Sequence, residues 1–359
     1  MTPSSSQVPT PIVAGSRVVV GHGREETVSV PEEPRLSLSE LQSAGAAIRR
    51  NVERVIDGKN AAVFTALTVL LAGGHLLIED VPGVGKTMLA KALARSVDCT
   101  VSRIQFTPDL LPSDVTGVSV YNQADRRFEF KPGPVFANIV IGDEINRASP
   151  KTQSALLECM EERQVTVDGT TYPLALPFTV MATQNPLEME GTYALPEAQR
   201  DRFMTRISMG YPDTESELAM LDSRDTSSPL ALIGAVVSGA ELRAMMHAAR
   251  GVFASAAVKE YAVGIVRATR DDRDLRLGAS PRATLQLVRA AKAQAALFGR
   301  GYVLPDDVDS LAVAVLGHRL VPTSRALGHH HQDSGPLIEE VIHRILAATA
   351  VPVGTPERP

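Results

Sequence analysis

The chain has 359 residues, 44% of them hydrophobic, with a formal net charge of −5, 4% aromatic residues and no tryptophan. That length builds one large or two ordinary domains with substantial cores. The slightly acidic balance excludes a global basic field, and the scarcity of aromatics argues against a base-stacking surface. Cys99 and Cys159 are the only cysteines, which implies no disulfide framework and fits reduced thiols in a cytoplasmic protein.

Residues 1–36 are rich in Ser, Pro, Val and Gly, and Pro3, Pro9, Pro11, Pro31 and Pro34 discourage regular structure, so a flexible arm is expected. No charged-then-apolar signal pattern opens the chain. Helical spacing begins at Ser37-Leu38-Ser39-Glu40. Residues 61–78 carry no charged side chain and are long enough to raise the question of a membrane span. Gly73-Gly74-His75 divides them into a buried helix over 61–72 and a strand over 75–79. A span would consume the strand that feeds the next motif, so the chain is read as not membrane-spanning.

That motif is Leu76-Leu77-Ile78-Glu79-Asp80-Val81-Pro82-Gly83-Val84-Gly85-Lys86-Thr87. An apolar strand runs into a Pro/Gly turn and a Gly-Lys-Thr, the layout of a phosphate-binding loop. Gly83 and Gly85 permit backbone angles that bring successive N–H groups onto a polyphosphate. Lys86 would neutralise the outer phosphates and Thr87 would offer its hydroxyl to Mg²⁺, with Pro82, Val84 and Met88 completing the contact segment. Asp80 stands where the full fingerprint has glycine. The bland alternative is a turn beside a surface lysine. Against it, Leu89, Ala92, Leu93 and Val97 share a face, with Lys91 and Arg95 off it, as an amphipathic helix requires.

Further strands are expected at 101–105, 138–142, 178–182 and 205–209, alternating with helices, which implies a parallel sheet between helical layers. Two hairpins interrupt the alternation, at 117–131 and at 164–173 with its Asp168-Gly169 turn. Asn138-Ile139-Val140-Ile141-Gly142-Asp143-Glu144 is an apolar strand ending in paired carboxylates. In a parallel sheet that end meets the nucleotide crevice. Asp143 can reach the Mg²⁺ shell, and Glu144 can polarise the water that attacks a γ-phosphate. At the tip of the 178–182 strand, the amide of Asn185 could orient that water; alone, Asn185-Pro186 would be only a turn.

Beyond Pro212 the strand signals fade. Ser238-Gly239-Ala240-Glu241 has capping-box spacing, and helices fit 256–269, 281–298, 306–317 and 336–348. The reading is a flexible arm at 1–36, an α/β nucleotide domain at 37–212 and a helical domain at 213–359. His329-His330-His331 falls between the last two helices. Three consecutive histidines converge poorly on a metal, so a solvated loop is the plainer reading.

Several separated strings carry a specific resemblance. They are Asp143-Glu144-Ile145-Asn146-Arg147-Ala148, the run from Lys151 to Glu158, Ala182-Thr183-Gln184-Asn185-Pro186, Leu195-Pro196-Glu197-Ala198-Gln199 with Asp201-Arg202-Phe203, and Gly278-Ala279-Ser280-Pro281-Arg282-Ala283. Over roughly residues 38–350 the chain resembles the MoxR family of AAA+ ATPases, in the helix-2-insert branch. The resemblance implies a P-loop NTPase core followed by an all-α lid, ATP and Mg²⁺ as cofactors, and a ring oligomer, usually a hexamer. It also implies chaperone-like remodelling of partner complexes, often with a von Willebrand factor A domain protein. Carried over by position, Lys86 and Thr87 form the phosphate-loop pair, Asp143 and Glu144 the magnesium and hydrolysis carboxylates, and Asn185 the first sensor. Arg202 matches the arginine finger that reaches a neighbouring subunit, and Arg282 the second sensor. Arg200 departs from the family, which usually has an apolar residue there, and puts a second cation beside Arg202. Ser280 reads as an N-cap and Pro281 as the first helical residue, so Arg282 meets the positive end of a helix, a cost that an opposing anion would offset.

A motor acting on nucleic acid or the transcription machinery is the alternative, disfavoured by the acidic balance and the lack of a basic stripe. A GTP switch lacks any Asn-Lys-x-Asp string. A nucleotide-binding scaffold with degenerate chemistry is disfavoured because every expected catalytic position is filled.

Overall fold

The computed structural model describes residues 36–186, 191–212, 214, 217–218, 229–328 and 334–352. The arm expected at 1–36, apart from Leu36, and the histidines 329–331 lie outside them. Helix α1 (Leu38–Glu53) opens with a complete capping box, the Ser37 hydroxyl accepting from the Glu40 N–H while the Glu40 carboxylate accepts from the Ser37 N–H. Helix α2 (Asn60–Ala72) is apolar nearly all round and ends at Gly73 in the left-handed conformation. No helix among the described residues is long and apolar enough to cross a membrane.

The sheet has five parallel strands in the order β10–β1–β9–β6–β3: β10 Thr205–Ile207, β1 Leu76–Glu79, β9 Thr179–Gln184, β6 Ile139–Asp143 and β3 Val101–Gln105. The pairing sets Ile78 beside Thr183, Ile141 beside Met181 and Gln105 beside Asp143. Side chains alternate across it, as strand geometry demands. Leu76, Ile78, Ile139, Ile141 and Met181 enter one core, and Leu77, Val140, Val180 and Ala182 enter the other. Burial on both faces explains why these strands read as continuous apolar runs. The two expected hairpins form, β4 (Gly117–Asn122) with β5 (Arg127–Pro132) and β7 (Gln164–Val167) with β8 (Thr170–Pro173).

After the sheet the chain is mainly helical, with helices over Gly239–Arg250, Ala256–Asp271, Pro281–Leu297, Pro305–Leu316 and Gly335–Ala348. A short antiparallel pair, β12 (Leu275–Leu277) with β13 (Val321–Pro322), sits among them. Leu242, Ile265, Leu287 and Val341 join Leu76, Ile139 and Leu93 in one continuous core, so the helical part packs on one face of the sheet. A small polar staple reinforces that packing. Asn51 Nδ2 donates to Ser96 Oγ at 3.0 Å and to the Gly234 carbonyl at 2.9 Å, and Val236 N donates to the Ser96 carbonyl at 3.0 Å. Beside it β2 (Val97–Asp98) pairs in parallel with β11 (Val237–Ser238), two residues a side, too short to leave a pattern in sequence.

His75 opens β1 from inside the core. Its Nδ1 accepts from Val180 N at 3.0 Å, which leaves Nε2 to donate to the Met160 carbonyl at 3.1 Å. Burial, opposed by the Met160 bond and aided by Arg163 and Arg289, pushes its pKa from 6.5 down to about 4. The unfolded chain therefore binds this proton first as the pH falls. The contribution is fully present above pH 6.5 and is lost as pH drops towards and through 4. His318, also driven well below its ordinary value by burial and by Arg319, acts in the same direction. Replacing His75 with Gln is expected to flatten the fall in unfolding free energy over that window by on the order of 3 kcal/mol. Urea titrations at successive pH values check this, and an unchanged slope refutes it.

Candidate functional site

The C-terminal ends of parallel strands meet at one edge, and the candidate site is built there. Past Glu79 the chain turns through Asp80–Gly85 and enters α3 (Lys86–Arg95), with Gly85 as its N-cap. Gly83 and Gly85 have φ of 85° and 92°, a region that only glycine enters without strain. A Cβ added to Gly83 would meet nothing within 4 Å, so it is the backbone angle, not space, that demands glycine there. Lys86 Nζ donates to the Asp80 carbonyl and, at 3.0 Å, to the Gln184 carbonyl at the end of β9. Val84 and Met88 are half-buried against the core and hold the loop down, while Pro82 is exposed.

Opposite the loop, β6 ends at Asp143, which is 3% exposed. Its Oδ1 accepts from the Thr87 hydroxyl at 2.7 Å and from the Thr183 hydroxyl at 3.3 Å. Its Oδ2 is paired with Arg103 Nε at 2.6 Å. Glu144 follows in the left-handed conformation, with φ of 58°, its N–H held by the Thr183 hydroxyl at 3.0 Å. Sparsely populated backbone of this kind persists where surroundings over-determine it. That carboxylate accepts from Gln105 Nε2 at 3.0 Å and pairs with Arg147 at 3.2 Å. Asn185, 4% exposed at the tip of β9, accepts on its backbone carbonyl from Asn146 Nδ2 at 3.1 Å.

The structure thus brings Lys86, Thr87, Asp143, Glu144 and Asn185 to one edge. Arg202 and Arg282 form a second cluster, bonded to each other's partner and not to the loop. Arg202 Nε pairs with Glu161 Oε2 at 2.8 Å, and Arg282 pairs with the other oxygen of the same carboxylate. Glu161 lies in the last turn of α5 (Pro150–Glu162), and the two guanidiniums, Arg202 foremost, hold it below the usual carboxylate range against the opposing effect of burial. Asp201 is the second hub. It accepts from the Ser280 hydroxyl at 2.9 Å, lies 4.0 Å from Arg282 and pairs with Arg319 at 2.8 Å. Ser280 does occupy the N-cap position of the helix Pro281–Leu297, but its hydroxyl serves Asp201 and not the helix. Arg319, 3% exposed, is pushed down to about 10 by burial against the opposing pull of Asp201. Arg200 Nε is buried without a hydrogen-bond partner.

Sequence patterns missed Glu161, one charge among several on its helix, and Arg103 and Arg319, lone arginines with no motif around them. They missed the role of Asp80 for a different reason: its partners are remote. Its Oδ2 accepts from Ser208 Oγ, Met209 N and Gly210 N, each at 2.7 Å, and Oδ1 accepts from Val81 N at 2.8 Å. Burial would raise this carboxyl, but those donors outweigh it and hold Asp80 below its ordinary value. The missing glycine of the fingerprint is thus a pin between the phosphate loop and the chain leaving β10.

A glycine-cornered loop between a central parallel strand and a helix, a Thr–Asp pair across from it and a following helical layer define a P-loop ATPase of the AAA+ class. The family described as "ATPase family associated with various cellular activities (AAA)" matches residues 75–205, and the AAA lid domain matches residues 267–341. YeaC of Bacillus subtilis, itself uncharacterized, is 50% identical over 84% of this chain and 93% of its own length. Chaperone MoxR1 of Mycobacterium tuberculosis is 44% identical over 84% of this chain and 80% of its own. A crystal structure from Cytophaga hutchinsonii, assigned as an ATPase, superimposes with a TM-score of 0.80 at 39% identity, covering 88% of this chain and 97% of that one. The chain belongs to the MoxR family of AAA+ ATPases.

Removing the Asp80 carboxylate strands three backbone N–H groups and a hydroxyl in a half-buried setting. Asp80→Ala is expected to lower the unfolding free energy by about 1–3 kcal/mol and to weaken nucleotide binding. Denaturant titration and a fluorescent-nucleotide titration read the two effects.

Proposed function

We propose that this protein hydrolyses ATP with Mg²⁺ and uses the cycle for chaperone-like remodelling or maturation of partner protein complexes in the cytoplasm. The observation that carries the reading is the Thr87 hydroxyl 2.7 Å from the buried Asp143 carboxylate, with Lys86 on the preceding residue and Glu144 on the following one. Two hard oxygen donors at that spacing suit magnesium, which supplies charge stabilisation to the transferring phosphate. The backbone of Pro82–Met88 and the α3 N-terminus receive the phosphates, and Lys86 exchanges its carbonyl partners for phosphate oxygens. Glu144 orients the attacking water and accepts its proton, with the Asn185 amide holding that water from the other side.

Arg202 is assigned as the arginine finger and Arg282 as the second sensor. Both rest on Glu161, a carboxylate that a nucleotide phosphate can replace, and Asp201 joins the Arg202 segment to Ser280, Arg282 and Arg319 of the lid. In a ring, usually a hexamer in this family, that surface would face a neighbour's nucleotide. Arg200, whose Nε is buried without a hydrogen-bond partner, is not given the finger's role. The nucleotide unit is taken as 37–212 and the lid as 213–359. A von Willebrand factor A domain protein is the expected partner, a reading supported by family membership alone.

Glu144→Gln is expected to retain ATP binding and lose turnover, and Lys86→Ala to lose binding. Turnover undiminished in Glu144→Gln would refute the assignment. Arg202→Ala should cut turnover by at least about tenfold. Activity should return when it is mixed with Glu144→Gln subunits, because each mutant then supplies what its neighbour lacks. Failure of that rescue, with both proteins assembled, removes the finger role from Arg202.

A further inference from the structure

We propose that the groove between the end of α2 and the helices Gly239–Arg250, Ala256–Asp271 and Pro281–Leu297 is a docking site for an acidic amphipathic segment of a protein partner. The groove encloses about 540 Å³, within the range of binding clefts. Its floor is aliphatic, built from Leu71, Ala72, Ala249, Val263, Leu285 and Val288. Leu285 is 68% exposed and Val263 42%, so apolar surface is open to solvent where the groove begins.

Four cations line the groove: Arg250, Lys259, Arg289 and Lys292. Arg163 stands beside them, its proton loosened by burial and by Arg250. Among the described residues, none of the five has a carboxylate within ion-pair distance. Several arginines elsewhere are matched, as in Arg300 with Asp307, Arg344 with Asp272 and Asp274, and Arg202 and Arg282 with Glu161. A chain with 41 acidic and 36 basic residues has no shortage of acids to place here. Helix capping explains one cation: Arg289 donates to the Ala72 carbonyl at 2.8 Å, at the negative end of α2. It does not explain Lys259, whose ammonium has no polar partner among the described residues, or Lys292, whose ammonium reaches only the Arg250 carbonyl among them, at 3.1 Å.

Clustered like charges around an apolar floor repel one another until an anion arrives, and the floor selects an anion with an apolar face. An amphipathic helix carrying aliphatic anchors and flanking carboxylates satisfies both demands. Nucleic acid suits it poorly, since among the described residues no aromatic ring lines the groove for base stacking.

The test uses the full chain and a fluorescein-labelled peptide of roughly 16 residues, with Leu at helical i, i+3, i+4 and i+7 spacing and Glu at most other positions. Fluorescence anisotropy should show binding that weakens with added salt. It should weaken by about tenfold or more in Lys259→Glu/Lys292→Glu, and separately in Leu285→Ser. The milder Lys259→Gln/Lys292→Gln pair should lie between, with melting temperature and nucleotide binding unchanged in all three. The proposal is overturned by no binding, by equal binding to the variants, or by equal binding of peptides with Lys for Glu or Ser for Leu. It is also overturned if the same residues govern binding to phosphatidylserine vesicles, or concentration-dependent self-association, in place of the peptide. None of these outcomes bears on Lys86 or Glu144, so the ATPase reading stands or falls separately.

Discussion

Parallel register is the constraint on which the rest of the molecule depends. Because β3, β6, β9, β1 and β10 run the same way, every strand ends at the same edge. The residue after each end is therefore a neighbour of the others, whatever its place in the chain. Pairing of Gln105 with Asp143 and of Glu79 with Gln184 puts the phosphate loop, the two carboxylates and Asn185 side by side. Two cores on opposite faces prevent slippage, since a one-residue shift would exchange the residues of one core for those of the other. The chemistry is thus positioned by hydrophobic packing on both sides of a sheet whose edge it never enters.

The arginines obey a different constraint. Glu161 comes from the end of α5, Arg202 from just after the short helix Glu197–Arg200, and Arg282 from the first turn of a helix beyond the sheet. Their meeting joins three elements through one carboxylate. Asp201 repeats the device with Ser280 and Arg319, and His318 Nε2 bonds the Phe203 carbonyl at 3.1 Å. The segment bearing Arg202 is therefore gripped on two sides by residues of the helical part. A change in what Glu161 or Arg282 binds would be felt along that segment, which is a physical route for coupling a nucleotide's state to the position of the lid.

The strands, the two hairpins, the helices and the loop–carboxylate pair were legible because their signals are local: alternation, helical spacing, capping boxes at Ser37 and Ser238, and a Gly-Lys-Thr after a strand. Strand limits shifted by a residue or two, as for 178–182 against Thr179–Gln184. What stayed hidden depends on contacts far apart in sequence. Asp80 looked like a lost glycine because the donors that explain it lie 128 to 130 residues away. Glu161 looked like an ordinary surface acid of α5 until two arginines arrived from elsewhere. The β2–β11 pair has two residues a side and no alternation to read.

The Asp80 pin and the Asn51–Ser96 staple also bracket a stretch of chain. One secures Ser208–Gly210 and the other Gly234 and Val236. Each end is fastened to the body by its own bonds, so neither fastening relies on the length of what connects them. A load applied at either fastening is therefore met by bonds of its own, so a disturbance of the nucleotide edge need not reach the helical layer through the chain that connects them.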